Sequence, residues 1–189
     1  MKRLERTVVP RSRRHRSVIA CLDVGYRDAD ATAACVLFRE WSDAEPFLEL
    51  VRRLPDAAPY EPGSFFRREL PCLLAVLQDL PYLPATLVID GYVWLGESRP
   101  GLGAHLHEAL GGRSAVIGVA KTPFRGAPAQ EVTRGRSRSP LYVTAIGMTA
   151  SEAATRIRRM HGPFRIPTLL RRADLLSRGR DLPESTLTV

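Results

Sequence analysis

Lysine is nearly missing from this chain of 189 residues: of its 28 basic residues only Lys2 and Lys121 are lysines, and the rest are arginine. Arginine bias of this kind follows genome composition as readily as it follows phosphate recognition, so the +8 net charge points to a polyanionic partner without proving one. Lys121 stands out instead. Long apolar runs are also missing. None approaches the roughly 20 residues that a membrane helix needs, and the basic N-terminus MKRLERTVVPRSRRHRS has no apolar core of the secretory type. A cytoplasmic protein with no membrane association is expected. Cysteine is scarce: Cys21, Cys35 and Cys72 are odd in number, lack CxxC spacing and lie in apolar segments. That excludes a disulfide framework and favours reduced core thiols. No His/Cys cluster has zinc spacing, and no internal repeat is present.

What remains is the composition of a soluble globular chain, 44% hydrophobic and 25% charged, long enough for one core and too short for two ordinary domains. The expected division is a basic, flexible segment over 1–16, one domain over 17–177 and a tail over 178–189. SVIACLDV, ATAACVLF and the stretch from Phe47 to Val51 read as an antiparallel meander joined by polar turns. A helix with an apolar face of Leu73, Leu74, Leu77 and Leu80 follows, and Pro71 suggests that it begins near Glu69. Leu87 to Asp90 and Ala115 to Ala120 are short buried strands, separated by a short helix over His105 to Leu110. Residues 122–140 read as a surface excursion in which Arg134, Arg136 and Arg138 suit phosphate contact, with a solvated loop as the default. A strand over Leu141 to Ile146, a helix to Met160 opened by a capping box at Thr149 and Glu152, and a terminal helix over Thr168 to Ser177 complete an α/β fold: a mixed sheet flanked by helices.

Acids at strand ends are the chemical signal. A buried strand seldom ends on a charge unless that charge meets a metal, a cation or several donors, and here Asp23 and Asp90 both end apolar runs. Glu69 has two readings of equal weight: a carboxylate favoured by a helix N-terminus, or a third acid at the same point. Three converging carboxylates would repel one another, and Mg²⁺, hard and oxygen-seeking, relieves that repulsion while accepting phosphate oxygens.

The blocks DVGY (23–26), PYEPGSFFRRELP (59–71), IDGYVWLGESRPGLGAHL (89–106) and IGVAK (117–121), in this order, resemble the endonuclease V family. The resemblance implies an RNase H-like fold and a Mg²⁺-dependent nuclease, with Mn²⁺ as a substitute, acting on DNA, and on RNA as a further candidate, that contains inosine. Cleavage would fall at the second phosphodiester 3′ of the lesion, leaving a 3′-hydroxyl and a 5′-phosphate. Asp23, Asp90 and Glu69 would hold the metal, and Lys121 would offset charge on the scissile phosphate. Tyr60, between Pro59 and Pro62, would fill the gap left by the flipped base. Gly63, Phe65, Gly91 and Leu102 would line the base pocket, with His105 in a supporting role. A monomer is expected. Two departures from the family pattern bear on activity: Gly96 stands where a histidine is usual, and Ile146 matches the usual histidine near the C-terminal strand. The alternatives are therefore a lesion- or structure-binding module with reduced or no cleavage, and a nuclease without an inosine requirement.

Overall fold

The computed structural model describes residues 18–55 and 65–180. Its elements are β1 (Ile19–Arg27), β2 (Asp30–Phe38), β3 (Leu48–Leu54), α1 (Phe65–Gln78), β4 (Thr86–Asp90), α2 (Leu102–Ala109), β5 (Ala115–Ala120), β6 (Gln130–Val132), β7 (Leu141–Ile146), α3 (Ala150–Arg159) and α4 (Thr168–Ser177). The strands form one sheet in the order β3-β2-β1-β4-β5-β7-β6. The expected meander is present, β1 antiparallel to β2 and β2 to β3. β1, β4 and β5 run parallel, whereas β7 is antiparallel to β5.

Both faces of the central strands are covered, which is why they read as apolar runs with little alternation. Ala20, Leu22 and Leu87 pack with Leu73, Val76 and Leu106 of α1 and α2 on one face. Cys21, Val88 and Ile117 pack with Ile157, Leu170 and Leu176 of α3 and α4 on the other. The three cysteines are buried and unbridged. Among the described residues no helix is long and apolar enough to cross a membrane.

Three expectations need correction. α1 begins at Phe65, so Pro71 lies inside the helix, on its exposed side. Glu69 is then in the second turn, the first turn holds no acid, and the capping explanation for Glu69 falls away. The excursion after β5 contains β6, an edge strand of three residues too short to show a period in sequence. Arg134 is not a solvated phosphate contact: it is 6% exposed, and its guanidinium donates to the carbonyls of Met160, His161, Gly162, Phe164 and Arg165. A planar fork of five N–H donors suits such a ring of carbonyls. The segment 1–16 and all but the first three residues of the tail lie outside the described residues.

Candidate active site

Parallel strands end on the same edge of a sheet, and register brings the acids to one place. Leu22 pairs with Ile89 and Asp90 with Val119, so Asp23, Asp90 and Lys121 emerge side by side where β1, β4 and β5 stop. They line a cleft of about 750 Å³ together with Glu69 from α1 and Asp174 from α4. Lys121 Nζ donates to Asp90 Oδ2 at 2.5 Å. The buried Ser177 hydroxyl donates to Asp23 Oδ2 and stands 2.9 Å from the Asp174 carbonyl. Asp174 is paired with Arg178 at 2.7 Å.

α4 reaches the cleft because β1 carries a glycine where they meet. A Cβ at Gly25 would stand 2.3 Å from the Ser177 carbonyl oxygen. A second close approach shapes the loop after β4: a Cβ at Gly118 would lie 2.6 Å from the Gly91 carbonyl, so a side chain there would push the glycine loop off the sheet. Thr144 Oγ1 anchors that loop by accepting from the Val93 amide at 2.8 Å.

The cleft holds more negative charge than its donors neutralise. Burial, with the Asp23 and Asp90 charges adding to it, lifts Glu69 from 4.5 to about 8. Burial also lifts Asp23 from 3.8 to about 6, opposed by the Ser177 hydrogen bond and helped by Asp90 and Asp174. The Tyr26 phenol is raised by burial and by Glu69, its hydroxyl has no partner among the described residues, and the Arg68 guanidinium sits 3.7 Å over its ring. Among the described residues no three acids, histidines or cysteines are gathered tightly enough to hold a metal ion unaided. Lys121 and Ser177 hold the two strand-end acids instead.

Beside the acids lies an apolar pocket of about 310 Å³, sharing Asp90 with the cleft and walled by Phe66, Gly91, Tyr92, Leu102 and Phe124, with Arg99 as the one cation among the described residues that line it. Tyr92 donates from its hydroxyl to the Thr122 carbonyl at 2.7 Å, which ties the glycine loop to the segment carrying Phe124. Aromatic walls and glycine backbone are what a flat heterocycle needs: faces to stack on and close amide approach.

Of the residues singled out in the sequence, Asp23, Glu69, Asp90 and Lys121 therefore share one cleft, and Gly91 and Leu102 share the adjoining pocket. His105 stands behind the pocket, stacked on Phe66 with ring centroids 3.8 Å apart. Tyr60, Pro62 and Gly63 lie outside the described residues, as does the side chain of Phe65. Gly96 has room for a side chain, since a Cβ there would come no closer than 3.6 Å to Arg99 Cβ. Ile146 corrects an expectation. It pairs with Val116, at the start of β5, so the reversal of β7 puts it at the far end of the sheet from Lys121, where it packs on the core. Glu152 is accounted for by the capping box it forms with Thr149. Asp174 was missed in sequence: it lies inside α4 and so lacks the strand-end signal that drew attention to Asp23 and Asp90, its one local mark being apolar neighbours, Ala173 and Leu175, on either side.

A protein-family model described as Endonuclease V matches residues 2–160. The chain is 35% identical to an endonuclease V of Streptomyces avermitilis, covering 87% of this chain and 80% of that one. It is 30% identical to an endonuclease V of Pyrococcus abyssi, covering 95% and 88%. The crystal structure of the S. avermitilis protein matches with a TM-score of 0.70 at 28% identity over 87% of this chain and 81% of that one. Ciona intestinalis endonuclease V, crystallised with a 24-mer DNA containing an inosine followed by a ribo-adenosine, shares the fold with a TM-score of 0.74 at 19% identity, covering 86% and 84%.

Proposed function

The chain belongs to the endonuclease V family and its α/β sheet is RNase H-like; from that premise we propose that its cleft hydrolyses a phosphodiester of inosine-containing nucleic acid, one nucleotide beyond the lesion on the 3′ side. The observation that carries the reading is the adjacency of two unlike sites, an acid-lined cleft and an aromatic-walled pocket, meeting at Asp90. A base turned out of the stack into the pocket leaves its own backbone at the acids. Inosine-containing DNA is the substrate class, with RNA as a second candidate.

The donor set fits Mg²⁺. Every acid offers hard oxygen, Glu69 and Asp23 are raised by burial and, beyond it, by neighbouring negative charge that a cation would offset, and Mg²⁺ commonly binds through one or two carboxylates while keeping waters and substrate phosphate as its other ligands. Asp23 and Asp90 would hold it, with Glu69 and Asp174 completing the site directly or through water. A cation held there would supply activation of a water and stabilisation of the leaving 3′ oxygen. Lys121, aimed into the cleft by Asp90, sets an ammonium against the non-bridging oxygens of the scissile phosphate. Ser177 fixes the rotamer of Asp23, and Tyr92 holds the pocket wall against the loop that carries Phe124. Products with a 3′-hydroxyl and a 5′-phosphate follow from attack at phosphorus with departure of the 3′ oxygen.

The test is a gel assay on end-labelled strands carrying one inosine, as DNA and as RNA, beside inosine-free controls. Cleavage one nucleotide past the inosine that requires Mg²⁺ or Mn²⁺ and vanishes in EDTA and in Asp90→Ala is expected. Equal cutting of the inosine-free strand would overturn the base preference. Binding without cleavage would leave a recognition module, the reading favoured by the glycine and isoleucine that stand at positions 96 and 146 in place of the usual histidines.

A further inference from the structure

Charge is not spread evenly along this chain. Residues 132–173 contain nine arginines and one acid, Glu152, a surplus of eight that equals the net charge of the whole chain. The single acid is spent within its own capping box. The fold gathers these arginines. Arg134 ties the loop after β6 to residues 160–165 through five carbonyls, and Gly135 packs so closely on the Pro163 carbonyl that a Cβ would be 2.1 Å away. Arg136 and Arg138 follow directly on that tie, Arg158 and Arg159 directly precede its other side at the end of α3, and Arg171 lies in the first turn of α4; all five are exposed. Phe164, between them in sequence, is 62% exposed, more than any other large apolar side chain described.

This face is joined to the active cleft. Arg165 donates to the carbonyls of Lys121 and of Pro140, the latter at 2.6 Å, so the arginine-bearing loops are fastened to the strand end that carries the cleft's ammonium. Along α4, Arg171 precedes the cleft residue Asp174 by three positions, one helical turn. Nothing in the chemistry of the cleft uses the five exposed arginines.

We propose that this face is a backbone-binding surface for the arm of nucleic acid that extends from the cleft, with Arg136, Arg138, Arg158, Arg159 and Arg171 contacting phosphates without reading sequence and Phe164 packing on a sugar or base. The proposal rests on the nucleic-acid reading of the cleft and adds to it where the flanking strand runs. Of the bordering acids, Asp174 is paired with Arg178.

The experiment measures affinity of the full chain for an inosine-free 24-base-pair duplex by fluorescence anisotropy against KCl concentration. Arg136, Arg138, Arg158 and Arg159 are changed together to Gln. A matched control changes Arg27, Arg39, Arg53 and Arg113, four exposed arginines elsewhere, and so loses the same charge. With about 0.9 of log–log slope per phosphate contact, the face variant is expected to have a slope shallower by about 3 and affinity weaker by roughly a hundredfold or more at 0.1 M salt. The control should change far less, and four lysines in place of the face arginines should restore the slope. Phe164→Ala should weaken binding severalfold with the slope unchanged, since it removes no charge. An unaltered slope in the face variant, or an equal change in the control, overturns the proposal. Because the duplex holds no inosine, that result is independent of the cleavage assay: loss of inosine cutting with an intact slope effect would count against the catalytic reading alone.

Discussion

Replacing Glu69 by Gln should stabilise the metal-free protein at alkaline pH while abolishing cleavage. Burial and the neighbouring Asp23 and Asp90 charges raise Glu69 from 4.5 to about 8. An acid whose folded value lies above its unfolded one holds its proton more tightly in the folded chain. Its contribution is therefore fully present below about pH 4.5 and is lost progressively as pH rises towards 8. At about 1.4 kcal/mol for each pH unit, that window sets an upper bound of about 5 kcal/mol on what ionising Glu69 costs at pH 8. The amide keeps the shape and removes the charge, but it is buried with two N–H groups to satisfy, which returns about 1–3 kcal/mol. The net gain expected is about 2 kcal/mol, or roughly 4–8 °C in Tm for a chain of this size.

Thermal melts in EDTA at pH 8 and pH 5, with and without the substitution, measure it. At pH 5 the folded carboxyl already carries its proton, so little charge cost is left to remove, the cost of the buried amide remains, and the variant should be less stable than its parent by about 1 kcal/mol. Adding millimolar Mg²⁺ at pH 8 should raise the Tm of the parent more than that of the variant, because the cation offsets a repulsion that the amide has already removed. A variant less stable than its parent in EDTA at pH 8, or an equal shift at the two pH values, would refute the claim that these acids are held together against their own charge.

Lys121→Met should lower cleavage by at least about a hundredfold while moving Tm little, since the Lys121–Asp90 pair is about a third exposed and such pairs contribute about 1 kcal/mol or less; single-turnover rates beside a melt check both. Arg134→Met leaves five buried or half-buried carbonyls without their donor and should cost about 3 kcal/mol, read as a urea midpoint shifted down at constant m. Gly25→Ala forces α4 off β1, because the new Cβ would meet the Ser177 carbonyl; activity and Tm should fall together, in contrast to Lys121→Met. Thr149→Ala removes the cap of α3 and should cost about 1 kcal/mol with cleavage per folded molecule unchanged.

The parts of this site that could be read in the sequence were those whose signal is local. Asp23 and Asp90 each end an apolar run, and the parallel ends of β1, β4 and β5 then needed only the sheet order to bring them together. Glu69 was placed with them by the family resemblance, while its own surroundings in the sequence allowed a helix-terminus role equally well. Pro71 argued for a later helix start, yet the proline sits on the solvent side of α1, where its ring displaces no core contact and the helix continues through it.

What the sequence hid depends on the direction of a strand or the contact of a distant helix. Ile146 was tied to the site only by its match to a usual family histidine, but an antiparallel neighbour of β5 carries its last residue to the opposite edge. Asp174 lies about 150 residues from Asp23 in sequence and comes beside it because Gly25 has no Cβ to hold α4 away. That dependence divides the site into two energetic halves. The strand-end acids have their backbones placed by the sheet, and Asp90 with Lys121 should tolerate changes in α4, whereas the side chain of Asp23 also depends on Ser177. Asp174 and Ser177 are placed by one close helix contact, so a side chain at position 25 should remove both at once while Lys121 and Asp90 stay paired.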